Sequence, residues 1–383
     1  MAIKSPLKLY IIAGEASGDL HGSNLIKALR QHQPHLDVRC WGGEKMEEAG
    51  GHLVKHYRDL AFMGFVEVLL NIRTILRNMA FCKSDILAYR PDAIVLIDYP
   101  GFNLRIAQWA KQQGIRVFYY ISPQIWAWKQ KRVHQIKRDV ERVFCVLPFE
   151  QDFYKKFDVD VSFVGHPLLD IDNTVVNKST FLTQNGLRDV PMIALLPGSR
   201  TQEIQSMLPI MLAVVERFPQ HQFIIAGAPG QDESRYRPYL NDRVRLIFGQ
   251  TYALLKHAEA GLITSGTATL EAGLFQLPQV VCYKAGAISY AIAKQVIKVK
   301  YISLVNLILD KPAIKELIQH DLNPENLGDE LEMLLNNPMR IAEVNSDYIR
   351  LRNALGGPGA SERTAIAMLK ILDTAPSATE SNH

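Results

Sequence analysis

The chain has 383 residues, 43 Lys and Arg against 39 Asp and Glu, a formal net charge of +4 and 48% hydrophobic residues. That balance excludes a protein whose charge alone demands nucleic acid, and the length predicts two domains of comparable size. Cys40, Cys82, Cys145 and Cys282 are widely separated, with no C-x-x-C pair or zinc spacing, so neither a disulfide framework nor a metal site is expected, and no apolar run reaches the roughly 18 to 20 residues that span a bilayer.

The first predicted strand, "KLYIIAG", is too short for a signal segment and runs into "AGEASGDLHG" at residues 13–22. A strand, a Gly-rich turn and a helix start normally form an anion site. This turn instead carries Glu15 and Asp19 and no cation. The two carboxylates would repel a phosphate, which leaves three readings: acceptors for sugar hydroxyls, acidic residues favoured at a helix start, or a general base. The G-x-x-x-G spacing is not the dinucleotide fingerprint, the next strand "VRCWGG" ends on no acidic residue, and no P-loop motif occurs.

Next comes "MGFVEVLLNIRTILRNMAF", residues 63–81. Phe65, Leu69, Ile72, Leu76 and Met79 form one apolar stripe at helical spacing, expected as core. Beside it runs a second stripe, Val66, Leu70, Arg73 and Arg77. The surplus apolar surface with a basic rim suits a helix lying on a membrane, with Met63, Phe65, Val66, Leu69, Leu70, Arg73 and Arg77 as contacts. The alternative is deep burial.

The strand "DAIVLID" closes on Asp98, followed by "YPGFN". A carboxylate at a strand end is placed to act as a general base toward an acceptor hydroxyl, or to cap the following helix. "SPQIWAWKQKRVHQIKR", residues 122–138, sets Trp126 and Trp128 among basic residues, a pattern that suits base stacking, lipid headgroups or plain core packing. Asp158-Val159-Asp160 reads as a surface turn rather than a metal-binding D-x-D.

A polar, turn-rich stretch at 168–190 predicts the domain junction. Beyond it "MIALLPGS", "QFIIAGAP", "VRLIFG", "AGLITSG" and "QVVCYK" repeat the strand-and-crossover pattern of the first half, so the fold class is α/β, with two Rossmann-like parallel sheets and ligands at the strand carboxyl ends across a cleft. In "LLPGSRTQEI", Gly198 permits close backbone approach, Ser199 caps the next helix, Arg200 stands at its start and Glu203 in its first turns, together a site for a diphosphate. The bland alternative is an ordinary capped turn. In "LITSGTATLEAG" the helix is expected near Leu270, with Ser265, Gly266, Thr267, Ala268 and Thr269 offered to phosphate oxygens and Glu271 to a ribose diol. "SYAIAKQVIKVKYISLVNLIL", residues 289–309, again mixes apolar residues with lysines.

The stretches "AGEASGDLHG", "MGFVEVL", "IDYPGFN", "YISPQIWAWKQKRVHQIKR", "LPFE", "FVGHPLLD", "LLPGSRTQEI" and "SGTATLEAG" occur in an order that resembles the bacterial lipid-A-disaccharide synthases, from about residue 8 to residue 372. The resemblance implies a metal-independent, inverting glycosyltransferase of the GT-B fold that needs no cofactor. Such an enzyme joins UDP-2,3-diacylglucosamine to 2,3-diacylglucosamine 1-phosphate, releases UDP, and works peripherally on the cytoplasmic face of the inner membrane. It implies an acceptor domain at 1–170, a UDP-sugar domain at 171–345, and helices in 346–383 that cross back or exchange between the subunits of a homodimer. It further implies that Asn306 approaches the donor; the acceptor hydroxyl of that reaction must lose a proton, and by position Asp98 is the first choice of base, with Glu15 and Asp19 as rivals. Within enzymes the competing readings are a UDP-sugar epimerase or a peptidoglycan glycosyltransferase. Outside them stands a non-catalytic, membrane-associated nucleotide-sugar-binding protein.

Overall fold

The computed structural model describes residues 6–60, 72–170, 176–286, 290 and 299–374. They divide into two compact units, one running to Asp170 and resuming at Gly356, the other ending at Leu355. Among the described residues the first unit holds a seven-stranded sheet made of β1 (Lys8–Ala13), β2 (Asp37–Gly42), β3 (His52–His56), β4 (Ala93–Ile97), β5 (Arg116–Tyr120), β6 (Arg142–Cys145) and β7 (Val161–Phe163), in the order β3-β2-β1-β4-β5-β6-β7. The second holds β8 (Met192–Leu196), β9 (Gln222–Gly227), β10 (Val244–Phe248), β11 (Ala260–Thr264), β12 (Gln279–Tyr283) and β13 (Lys315–Ile318), in the order β10-β9-β8-β11-β12-β13.

Strand pairing is parallel in both sheets. The central strands β4, β8 and β11 are buried along their whole length, which is why they read as unbroken apolar runs. The edge strands β3, "HLVKH", and β13, "KELI", are only partly buried, so their charged residues hide them from a search for apolar runs. In each sheet the chain turns outward in both directions from one pair of neighbours, β1 and β4 in the first, β8 and β11 in the second. Open α/β sheets bind ligands at the carboxyl end of such a pair.

The glycines of the opening turn serve packing. A Cβ on Gly14 would lie 2.4 Å from the Tyr99 ring, and one on Gly18 or Gly22 would press on Ala13 or Met46. Gly18 and Gly22, four residues apart, leave one side of the helix Ala16–His32 without side chains, so the chain on that side approaches closely.

The helix Ile72–Tyr89 is tied to the sheet by Asp85, which accepts hydrogen bonds from the Tyr10 hydroxyl at 2.7 Å and from Arg39 Nε and Nη2 at 2.8 and 2.6 Å. Met79, Cys82 and Ile86 are buried, whereas Ile72 and Leu76, expected as core, are 42% and 55% exposed. The helix therefore turns an apolar face to solvent, with the exposed Arg73 and Arg77 on it. Met63, Phe65, Val66, Leu69 and Leu70 lie outside the described residues.

Beyond Leu355 the chain breaks at Gly356, Gly357 and Gly359, all with positive φ, and the helix Ala360–Asp373 returns to the first unit against the helix Ala16–His32. Asp170 holds its start, accepting from the backbone N–H groups of Gly359, Ala360 and Ser361 at 2.6, 3.1 and 2.9 Å.

Candidate active site

At the carboxyl end of β1 and β4, where Ala13 pairs with Ile97, the chain delivers Glu15 and Asp98 side by side. Asp98 has φ 42° and Tyr99 φ 49°, both left-handed, and Tyr99 does so immediately before Pro100, where a proline disfavours helical backbone. Such backbone costs on the order of 1–3 kcal/mol per residue and persists only where its surroundings enforce it. Here they do. Asn103, fully buried, donates from Nδ2 to the carbonyls of Ile97 at 3.2 Å and Asp98 at 2.7 Å, and the Tyr119 hydroxyl donates to the Asp98 carbonyl at 2.6 Å. The Asp98 N–H donates to the carbonyl of Ile121, itself a β-branched residue at φ 59°.

The turn thus fixes a partly buried carboxyl beside a second carboxylate. Burial pushes the Asp98 carboxyl up to about 7, the charge of Glu15 adds to the rise, and a backbone bond at Tyr99 opposes it. A carboxyl with that value near neutral pH suits a general base. The sequence points to Asp98 and Glu15 as candidates but not to Tyr99, Asn103 as turn holder, or Tyr119, since only the folded turn reveals what they hold.

Asp19 has a different place. Its carboxylate is buried and accepts from the backbone N–H of Gly43 at 2.7 Å, Met46 at 3.1 Å and Lys45 at 3.2 Å, so it caps the helix Glu44–Glu48. Of the three readings open for the acidic turn, this is a capping role, although the helix capped is not the one Asp19 sits in.

In the second unit the loops after β8 and β11 occupy the corresponding pair of strand ends. Gly198 has φ 105°, which a side chain would strain, and a Cβ there would meet Glu203. The helix Thr201–Leu212 starts after Arg200, so Arg200, not Ser199, is the cap residue. Glu203 Oε2 accepts from the N–H groups of Ser199 at 3.0 Å and Arg200 at 3.1 Å, and Arg200 Nη1 stands 3.5 Å from Oε1. Glu203 is thus a clamp on the loop, filling the positions a phosphate oxygen would take, rather than a direct ligand.

The helix after β11 runs Thr267–Leu274, beginning three residues before the expected start. Gly266 and Thr267 are exposed at its first turn, Ser265 Oγ donates to the Ile302 carbonyl at 2.9 Å, and Thr269 is turned inward onto the Gly266 carbonyl at 2.8 Å. Ala268 is half-buried. Burial raises the Glu271 carboxyl, and the Tyr252 hydroxyl 3.4 Å away opposes that rise. Tyr252 stacks on Phe275 with ring centroids 5.2 Å apart.

Asn306 is buried with both ends of its amide engaged: Nδ2 donates to the Ile314 carbonyl and to Glu316, and Oδ1 accepts from the Ile314 N–H, each at 2.9 Å. These bonds hold the approach to β13. Trp126 belongs to the core, its Nε1 donating at 3.2 Å to Glu150, a buried carboxylate that also receives Ser122 Oγ and the N–H groups of Val146 and Leu147. Asp158 and Asp160 pair with Lys137 and Arg142, and no group of three metal-ligating side chains occurs among the described residues.

A family described as Lipid-A-disaccharide synthetase matches residues 9–371. The lipid-A-disaccharide synthase of Syntrophus aciditrophicus is 41% identical over 373 residues, covering 95% of this chain and 97% of its own. That of Coxiella burnetii is 39% identical over 362 residues, covering 93% and 96%. A crystal structure of the UDP-GlcNAc 2-epimerase from Neisseria meningitidis bound to UDP-GlcNAc superposes with a TM-score of 0.66 at 14% identity, covering 95% of this chain and all of that one; at this identity it shows the shared GT-B fold alone. With two parallel α/β sheets and a match along nearly its whole length, the chain belongs to the lipid-A-disaccharide synthase family.

Proposed function

We propose that the first unit binds the acceptor and supplies the base, and that the second binds the UDP-sugar donor. The enzyme transfers 2,3-diacylglucosamine from UDP to the 6-hydroxyl of 2,3-diacylglucosamine 1-phosphate with inversion, giving the β-1,6 disaccharide of lipid A and UDP. The observation that carries the residue roles is the Asp98 turn: a strained backbone, held by three hydrogen bonds from Asn103 and Tyr119, that mounts a carboxyl of raised affinity for protons at the strand pair where ligands bind.

Asp98 takes the hydroxyl proton as the oxygen attacks the far face of the anomeric carbon, and Glu15 keeps Asp98 basic. The departing diphosphate gathers negative charge, met by Arg200 and by the first turn of the helix Thr267–Leu274 with Ser265, Gly266 and Thr267. Glu271 serves the ribose. Both substrates carry acyl chains, and no described helix is long and apolar enough to cross a membrane. The exposed Ile72 and Leu76 beside Arg73 and Arg77 suit an anionic lipid surface on the cytoplasmic side of the inner membrane.

The test is incubation of purified protein with both substrates and mass analysis of the lipid product. Disaccharide 1-phosphate with equimolar UDP is expected; UDP-sugar bound and returned unchanged, or epimerised, contradicts the reading.

A further inference from the structure

The glutamate of "LPFE", Glu150, ties together the loops that leave β5 and β6. It sits in the first turn of the helix Pro148–Lys155, buried, and its Oε2 accepts from the N–H groups of Val146 at 3.2 Å and Leu147 at 3.0 Å. The bond to Leu147 is the half of a capping box that a glutamate supplies at a helix start, and one oxygen suffices for it. The second oxygen is turned inward: Oε1 accepts from Ser122 Oγ at 2.8 Å and from Trp126 Nε1 at 3.2 Å. Capping does not account for these two bonds, and both go to the segment after β5.

Ser122 follows Ile121, and the turn that carries the base rests on Ile121. The sheet pairs Ile97 with Tyr120 and Tyr120 with Phe144. Just past that tier the Asp98 N–H donates to the Ile121 carbonyl at 3.2 Å, and the Ile121 N–H donates to the Phe144 carbonyl at 3.1 Å. The Asp98 backbone is therefore pinned on both sides, its carbonyl by Asn103 and Tyr119 and its N–H by Ile121. A β-branched residue at φ 59° does not keep that conformation unaided. The peptide plane that bears the Ile121 carbonyl ends on the Ser122 nitrogen, so a Ser122 side chain anchored to a buried carboxylate fixes that plane, and with it the acceptor of the Asp98 N–H.

We propose that Glu150 is a positioning residue for Asp98, acting through the Ser122 hydroxyl and the Ile121 carbonyl. The proposal rests on the reading of Asp98 as the base. A general base displaced by a fraction of an ångström loses its alignment with the acceptor hydroxyl, which lowers kcat. Binding of the UDP-sugar, assigned to the second unit, does not pass through this chain of contacts.

Ser122→Ala and Glu150→Gln in the full chain test this, at a pH above the value of about 7 to which burial lifts both the Asp98 and the Glu150 carboxyls. Hydrogen–deuterium exchange reads the contact itself: the Asp98 amide should exchange about tenfold faster or more in both variants. Turnover should fall by about tenfold to a hundredfold with donor KM and UDP affinity held, and the double variant should fall no further than the worse single one. In an Asp98→Asn background neither substitution should lower the residual rate again, because the group they position is already gone. Ile26→Val, a change to a fully buried residue of the helix Ala16–His32, lowers stability without touching these contacts and should leave the Asp98 amide and kcat as they are. Unaltered exchange at Asp98 overturns the proposal, as does faster exchange with wild-type kcat. A loss as large in the Asp98→Asn background as in wild type also overturns it, marking Glu150 as general support of the fold. The base reading fails separately: Asp98→Asn with wild-type turnover removes the base, whereas lost turnover there beside a fully active Ser122→Ala removes the positioning alone.

Discussion

The ring of Tyr99 lies so close over Gly14 that a Cβ there would come within 2.4 Å of it, and this contact joins the end of β1 to the strained turn after β4. Gly14→Ala must therefore move Tyr99, and with it the Asp98 backbone one residue earlier. Turnover is expected to fall by roughly a hundredfold, the scale of a misplaced general base, with a far smaller change in UDP affinity. Steady-state kinetics beside UDP titration check this; a variant with wild-type turnover would show that the turn tolerates displacement.

Asp98→Asn keeps the shape of the turn and removes the proton acceptor. The expected loss in kcat is roughly 10²- to 10⁴-fold, with donor KM little changed. A residual rate close to wild type would assign the base elsewhere, Glu15 being the neighbour in place.

Glu150 accepts from four donors: Ser122 Oγ, Trp126 Nε1 and the N–H groups of Val146 and Leu147. Glu150→Gln would turn an NH₂ toward donors, so the fold should lose on the order of 1–3 kcal/mol, read from urea denaturation midpoints. Burial lifts the Glu150 carboxyl to about 7 from an ordinary 4.5. The folded state thus holds its proton more tightly than the unfolded one, and this group's contribution is present at low pH and is lost as pH rises from about 4.5 through 7. The variant should lack that slope.

His21 and His166 lie buried in the first unit, and burial lowers them from 6.5 to about 4 and about 3. For both, the neutral form is favoured in the fold. Their contribution is complete above pH 6.5 and drains away as pH falls through 4 and then 3. His21→Gln should flatten the acid side of the stability curve by at most about 1.4 kcal/mol per pH unit. An unaltered acid slope would show that His21 is not neutral in the folded protein.

Much of this fold is legible in the residues because buried parallel strands write themselves as apolar runs; β3 and β13, half-buried edges with charged residues, do not. The candidate base was legible for the same reason, as an Asp ending the run "DAIVLID". What the mount consists of was not. Asn103 looks like a helix cap, and Tyr119 like one more core aromatic, until the left-handed turn brings the Asp98 carbonyl to both. Asp19 and Glu203 were legible as carboxylates near helix starts, but which N–H groups they satisfy depends on loops far along the chain or on the turn itself. Ile72 and Leu76 follow a core period and yet face solvent, because periodicity records which residues share a face and not what covers it.

The central claim is that Asp98 works as a base whose proton affinity is raised by Glu15, and the dependence of kcat/KM on pH in wild type and Glu15→Gln tests it most directly. Wild type should gain activity as pH rises through about 7, where Asp98 loses its proton. Removing the Glu15 charge should move that rise to lower pH, because a neighbouring negative charge favours the protonated form. A Glu15→Gln profile that rises at the same pH as wild type, or at higher pH, would contradict the account.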